Sequence, residues 1–338
     1  MSASGRKERL IRGAAIVFAC LLAVAVLLPL VWPVPPLKGT VSAASLADSE
    51  SRFAQIGSVS IHYKTWGLPS QPATSGVDTA FVLLHGFGAS TFSWQPVAAS
   101  LSKRMPVVAF DRPAFGLTER PLAWAGANPY SPETQADMTV ELMDQLGIRR
   151  AVLVGHSAGG TVAALIAARH PDRVAAVILE DPAIFAGGPP DFLTPLFRTP
   201  QFRRLGPLFA RSLGGQAGTD FLRSTWHDPS RITSATFEDY QAPLRVADWD
   251  TALWLLTIAP RPADVPGIVR TISTPTLFIT GDDDRIVPPA DTQRAAALVQ
   301  GAKLVTIPQS GHISHEEQPA AFLDAVGTFL GEKAAPSP

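Results

Sequence analysis

Between Phe53 and Leu330 short apolar runs alternate with segments of helical periodicity, and this alternation constrains the fold more than any other feature. "TAFVLLHG", "MPVVAFDRP", "RRAVLVGHS", "DRVAAVILEDP", "STPTLFITGDDD" and "AKLVTIP" are too short for helices, rich in β-branched residues and bounded by Gly, Pro or Asp. Such runs are apolar on both faces, so they read as buried strands. Between them, "SPETQADMTVELMDQLGI", "AGGTVAALIAARHP", "PADTQRAAALVQ" and "QPAAFLDAVGTFL" read as helices, with Ser131 suited to cap the first and Pro132 to its first turn. "SVSIHYKTWG" alternates apolar and polar residues, as a half-exposed strand does. Strands alternating with helices imply an α/β fold with a mostly parallel sheet covered by helices on both faces.

Residues 186–262 interrupt that rhythm with stretches rich in Phe, Leu, Trp, Arg and Pro, such as "YQAPLRVADWDTALWLLTIA". No strand-like run occurs there. The expectation is a helical cap inserted into a core made of 52–185 and 263–331, where a long insertion beside a site commonly acts as a lid.

The N-terminus carries a different signal. Residues 1–12 are basic (Arg6, Lys7, Arg9, Arg12), and an uninterrupted apolar run extends from Gly13 to Trp32 before Pro33. About 20 helical residues span a bilayer core of about 30 Å. Residues 13–33 therefore read as an uncleaved transmembrane signal anchor. The positive flank would lie in the cytoplasm and the body outside it. Residues 34–51, rich in Pro, Ser and Ala, read as a tether. The rival is a secreted protein cleaved near Val41-Ser42-Ala43, a site far beyond the apolar run. Hydrophobic residues make up 46% of the chain, enough for a large core, and a net charge of −1 gives no reason to expect nucleic acid. The single cysteine, Cys20, excludes a disulfide or a Cys-based zinc site within one chain.

Chemistry concentrates at "VLVGHSAGG". Gly155-His156-Ser157-Ala158-Gly159 fits G-x-S-x-G between a strand and a helix. There a sharp turn lifts the Ser157 hydroxyl clear, and a Cβ at either glycine would collide. A hydroxyl nucleophile needs a base, and the base an orienting acid. "IPQSGHISHEEQP" offers His312 as base, while His315, before two glutamates, reads as a solvated helix start. "ITGDDDRIVPP" offers Asp284 as acid, three residues past Gly281, with Asp282 and Asp283 as turn residues and Asp181 as a rival acid. The backbone N–H groups of Phe87, in "LLHGFGAS", and Ala158 are the candidate oxyanion donors. His85 reads as structural. Gly86, His156, Trp226, Trp249 and Trp254 are candidate substrate contacts, with packing the competing role for His156.

These motifs, with "AFDRPAFGLTERP", resemble the α/β-hydrolase fold superfamily over nearly all of 53–331. The resemblance implies an eight-stranded sheet with a cap after the sixth strand. It also implies Ser157, Asp284 and His312 as a triad, with no cofactor and no metal. It points to an enzyme cleaving an ester of a small molecule with an apolar group, lipid-like esters included, through an acyl-enzyme. Alternatives are a C–C hydrolase of ring-cleavage products, with Arg203, Arg204 and Arg245 gripping a carboxylate, or a perhydrolase-like or lactonase member. A non-catalytic ligand-binding protein is the remote alternative. Epoxide hydrolases and haloalkane dehalogenases of this fold attack with Asp, which Ser157 argues against. The fold leaves the substrate and the oligomeric state open.

Overall fold

The computed structural model describes residues 3–68, 76–185, 188 and 191–331. The side chains of Arg6 and Lys7, and the start of the insertion at 186–187 and 189–190, lie outside what is described. The strands are β1 (Arg52–Ile56), β2 (Val59–Trp66), β3 (Val77–Leu84), β4 (Val107–Phe110), β5 (Ile148–His156), β6 (Val174–Glu180), β7 (Thr276–Gly281) and β8 (Lys303–Ile307). They form one eight-stranded sheet in the order β1-β2-β4-β3-β5-β6-β7-β8. β2 runs antiparallel to β1 and β4, and every other pairing is parallel.

Each central strand supplies both faces of the sheet, because successive side chains point to opposite sides. In β3, Phe81 and Leu83 join one buried cluster with Trp94 and Phe322. Val82 and Leu84 join the other, with Leu165 and Ile166 of the helix Ala158–Arg169. This two-sided burial is what the unbroken apolar runs of the sequence encode. Two elements were not legible there. β1 exposes alternate positions and pairs with β2 as a hairpin. The helix Gln95–Leu101 between β3 and β4 is only seven residues long.

Between β6 and β7 lie the helices Pro200–Ala210, Gln216–Ser224, Ser234–Gln241 and Trp249–Thr257. Phe197, Phe202, Trp249, Leu253 and Trp254 of this insertion pack against Ala114, Phe115 and Tyr130 of the sheet body. The insertion is thus seated on the strand ends through its own apolar cluster.

The N-terminal helix runs from Ala3 to Val31, and its apolar stretch, Ile11–Val31, has mean hydropathy 2.9 and is buried nowhere. The span starts and ends two residues earlier than the expected 13–33. Its end touches the insertion, with Gln201 Nε2 donating to Val26 O and Arg204 to Trp32 O. Residues 34–51 are not a free tether, which corrects the reading from composition. Val41 pairs with Val246, and Val41 N donates to Arg245 O at 2.8 Å. The Val41 amide and carbonyl are both satisfied this way, with Ala247 N donating back to Val41 O at 3.3 Å.

Phe81→Ala removes a fully buried ring from the middle of the sheet. It should cost about 3–5 kcal/mol in urea unfolding. A loss below about 1 kcal/mol would contradict the packing described.

Candidate active site

Ser157 sits between β5 and the helix Ala158–Arg169 with φ 52° and ψ −119°. A non-glycine residue there is strained by about 1–3 kcal/mol, so the surroundings must enforce it. They do so by close approach. A Cβ on Gly155 would lie 2.7 Å from Gly159 O and from the Ala163 Cβ, and one on Gly159 would lie 2.2 Å from Leu84 O. Hydrogen bonds fix the turn from both sides, Ser157 N to Glu180 O at 2.9 Å and Ala183 N to Ser157 O at 3.1 Å. The hydroxyl therefore stands at the N-terminus of a helix, where the aligned peptide dipoles favour developing negative charge.

β7 ends in three consecutive aspartates with three different tasks. Asp282 accepts from Ser310 N. Asp283 pairs with His227 and Arg285. Asp284 Oδ1 accepts from Ile286 N at 2.7 Å and Val287 N at 3.0 Å, which leaves Oδ2 to hold His312 Nδ1 at 2.7 Å. Both members of that pair are buried. No hydrogen bond among the described residues joins the Ser157 hydroxyl to His312, but the two line the same cavity. Such contacts commonly tighten only when substrate is bound.

Asp181 is fully buried with φ 42°, and its carboxyl, Asp284 and His312 bring potential ligand atoms within 4.8 Å of one another. Burial, and then the neighbouring Asp284, hold the Asp181 carboxyl well above the usual carboxylate range. His312 Nδ1 is bonded to Asp284, not to this rival acid.

The loop after β3 is braced from below. Arg112 Nε donates to His85 O at 2.8 Å, Nη2 to Gly86 O at 3.2 Å and Nη1 to Gln135 Oε1 at 2.8 Å. Arg112 N donates to His85 Nε2 at 3.0 Å, so the imidazole proton is on Nδ1, facing Gly86 O at 2.7 Å. Burial, reinforced by Arg112, pushes His85 down to about 3 and keeps it neutral. Arg112 escaped the sequence reading; the available signal was a charged "DR" ending an otherwise buried strand. The amides of Phe87 and Ala158 donate to no other group among the described residues.

The cavity measures about 380 Å³ and is walled by Phe87, Phe115, Phe221, Leu222, Phe237, Tyr240, Leu244, Trp249 and Leu253. Ser157, His156 and His312 line it too. Of the expected substrate contacts, His156 and Trp249 reach this wall, whereas Gly86, Trp226 and Trp254 do not. Gly86 faces the His156 ring, 2.6 Å from where its Cβ would stand. Trp226 packs with Leu222, Ile232 and Ile313, and Trp254 against Phe197 and Phe209. Arg203, Arg204 and Arg245 also stand outside the cavity.

His315 is corrected outright. It is fully buried, with Nδ1 on Glu180 Oε2 at 2.7 Å, Nε2 on Ser93 Oγ at 2.9 Å and its ring stacked on Trp94 at 4.2 Å. Burial opposes its charging, but the Glu180 carboxylate outweighs that and raises its pKa. The following glutamates suggested solvent, yet the segment tucks between sheet and insertion. His156 donates from Nε2 to His312 O at 2.8 Å, and burial holds it well below its ordinary pKa.

Residues 79–319 match the family described as alpha/beta hydrolase fold. The 2-hydroxymuconate semialdehyde hydrolase of Pseudomonas sp. (strain CF600) is 30% identical over 279 residues, 79% of this chain and 92% of the relative. The enol-lactonase from Burkholderia xenovorans LB400 superposes with a TM-score of 0.66 at 27% identity, covering 83% of this chain and all (100%) of that one. A membrane phospholipase A, described as a bacterial virulence factor, superposes at 0.63 with 22% identity, covering 97% of this chain and 100% of its own. The chain belongs to the alpha/beta hydrolase fold family. The relatives are named for different substrates, so the family and these names support a hydrolase and leave its type open.

Asp181→Asn tests the buried acid. A raised folded pKa means the folded state keeps a proton that the unfolded chain has lost, so stability falls as pH rises above about 4. The variant lacks this term, and its melting temperature relative to the native chain should climb as the pH rises from about 4 toward about 8. An equal difference at both ends would contradict a carboxyl that resists ionisation.

Proposed function

We propose that this chain is a serine hydrolase that cleaves a carboxylic ester with an apolar group through an acyl-enzyme. The observation that carries the reading is His312, held by Asp284, lining the same cavity as the strained Ser157. Ser157 Oγ attacks the ester carbonyl and its proton passes to His312 Nε2, while Asp284 holds Nδ1–H and stabilises the imidazolium. The N–H groups of Phe87 and Ala158 receive the oxyanion. The leaving alcohol takes the proton from His312; water, deprotonated by the same imidazole, then attacks the acyl carbonyl, and the acid leaves as His312 returns that proton to Ser157 Oγ. Losing one oxyanion donor of this kind costs about 10²–10³ in rate.

The cavity supports the apolar assignment, because most of its wall is aromatic or aliphatic; beyond Ser157, His156 and His312 its polar lining is Arg120, Thr219, Thr225 and Gln241. C–C hydrolysis of a ring-fission product is the second reading. The Pseudomonas relative, named as a 2-hydroxymuconate semialdehyde hydrolase, favours it. The exposure of Arg203, Arg204 and Arg245 removes the carboxylate grip that the sequence offered it. The enol-lactonase keeps a lactone within the ester reading.

The helix Ile11–Val31 fits a single membrane anchor with the body on the far side of its basic flank, and its seating on the insertion supports retention. A lipid-like ester within reach of the bilayer suits that placement. Intact-mass measurement of the protein from its native host should find the chain uncleaved; a mature form starting near Ala44 would make the helix a signal peptide.

Fluorophosphonate should label the wild type and fail to label Ser157→Ala. The wild type should turn over p-nitrophenyl butyrate with a higher kcat/KM than a ring-fission dienoate. The reverse ratio would transfer the assignment to C–C hydrolysis, and an unlabelled wild type would remove the nucleophile.

A further inference from the structure

The short helix Ser314–Glu317 directly follows His312, and its last residue is fully buried. Glu317 Oε2 accepts from Gly311 N at 2.8 Å and from His227 N at 3.0 Å, and Oε1 accepts from Asp228 N at 2.9 Å. Gly311 belongs to the loop that presents His312. His227 and Asp228 belong to the insertion. One carboxylate thus satisfies amides from two segments far apart in sequence. The next amide of the loop crosses the same seam, His312 N donating to Thr225 O at 2.7 Å. The seam is closed to any side chain at the glycine: a Cβ on Gly311 would lie 2.4 Å from Thr225 O and 2.7 Å from His227 N.

We propose that Glu317 is a positioning residue that ties the insertion segment Thr225–Asp228 to the loop carrying His312, so that the imidazole is placed for Ser157 only while that segment is seated. The clamp itself stands on the geometry, and its kinetic consequence rests on the serine-hydrolase reading. His312 is held at three points. Its N–H is taken by Thr225 O, its carbonyl by His156 Nε2 and its Nδ1 by Asp284. Two of these come from the sheet body and one from the insertion. The insertion's hold depends on Glu317, because without it the buried N–H of Gly311 and the half-buried N–H groups of His227 and Asp228 lose their acceptor. Glu316, one residue earlier, accepts from Tyr240 of the insertion and from Ser93, and its carboxylate takes no hydrogen bond from the His312 loop among the described residues. The two adjacent carboxylates therefore do different work: one fastens the insertion to the body, the other fastens it to the base.

Glutamine at 317 keeps size and shape but offers one acceptor oxygen, and its NH₂ must face an N–H donor. One of the two segments is then pushed away. A displacement of about 1 Å at a catalytic group costs about 10²-fold in rate. The test uses full-length Glu317→Gln and Glu317→Asp, with active sites counted by fluorophosphonate labelling taken to completion. For p-nitrophenyl butyrate, kcat per labelled site should fall about 10- to 100-fold while KM stays within about threefold. A lower melting temperature with unchanged kcat per labelled site would reduce Glu317 to a structural part and overturn the proposal. If neither variant folds, hydrogen exchange on the wild type decides. Amides of 225–228 and 311–313 should share one opening, and independent exchange of the two segments would overturn the clamp. Hydrogen exchange needs no substrate, so failure of the clamp is told apart from failure of the ester assignment.

Discussion

The backbone of Ser157 is the constraint on which the rest of the site depends. A residue at φ 52° and ψ −119° relaxes unless something forbids it. Here the prohibition is steric and lies in two glycines, whose positions admit no Cβ against Leu84 O, Gly159 O and Ala163. Strands β3 and β5 and the helix Ala158–Arg169 meet at that point, so the sheet must close there at the observed spacing. Since β3 and β5 pair in parallel through Leu84 and Gly155, the loop after β3 is delivered beside the serine by the same register. The loop after β3 and the serine turn are thus two consequences of one strand pairing.

Much of this was legible before any coordinates. Apolar runs on both faces announce a buried parallel sheet, because no other element needs β-branched residues at every position. The serine turn announces itself because glycine on both sides of a polar residue serves no packing purpose. The three aspartates after β7 were legible as a turn with one inward carboxylate, since consecutive side chains cannot share a direction. Illegible were the residues whose role arises from contacts between distant segments. Glu317 looks like a solvated helix residue until His227 and Gly311 are brought to it. Trp226 and Trp254 look like Trp249 in sequence, but only the fold decides which ring faces the cavity. Helix Gln216–Ser224 contributes Phe221 and Leu222 to the wall, and nothing in its local pattern separates wall from core.

Short polar residues in the N-terminal segment misled for a different reason. Composition sets how a free chain behaves, and residues 34–51 have the composition of a linker. Yet a segment that leaves a long helix beside a folded surface has little length in which to be free. Val41 finds Val246, Ser51 meets the His62 ring and Lys64 reaches back to Asp48, so the segment becomes an edge of the body.

Four histidines lie buried within or beneath the site, and their surroundings sort them. His85 and His156 are held neutral, chiefly by burial, and each bonds a backbone carbonyl that shapes the site, Gly86 O and His312 O. His315 is offered a carboxylate, but its other nitrogen is spent on Ser93, so it has no path to substrate. Only His312 combines a carboxylate on Nδ1 with a place on the cavity wall. A proton arriving from a serine hydroxyl is stabilised where a carboxylate answers it across a short bond in a poorly screened interior. The neutral neighbours matter as much as that partner, because a second fixed positive charge at His156, with rings 4.7 Å apart, would oppose the imidazolium. Burial that looks wasteful for His156 thereby leaves one imidazole able to accept the charge.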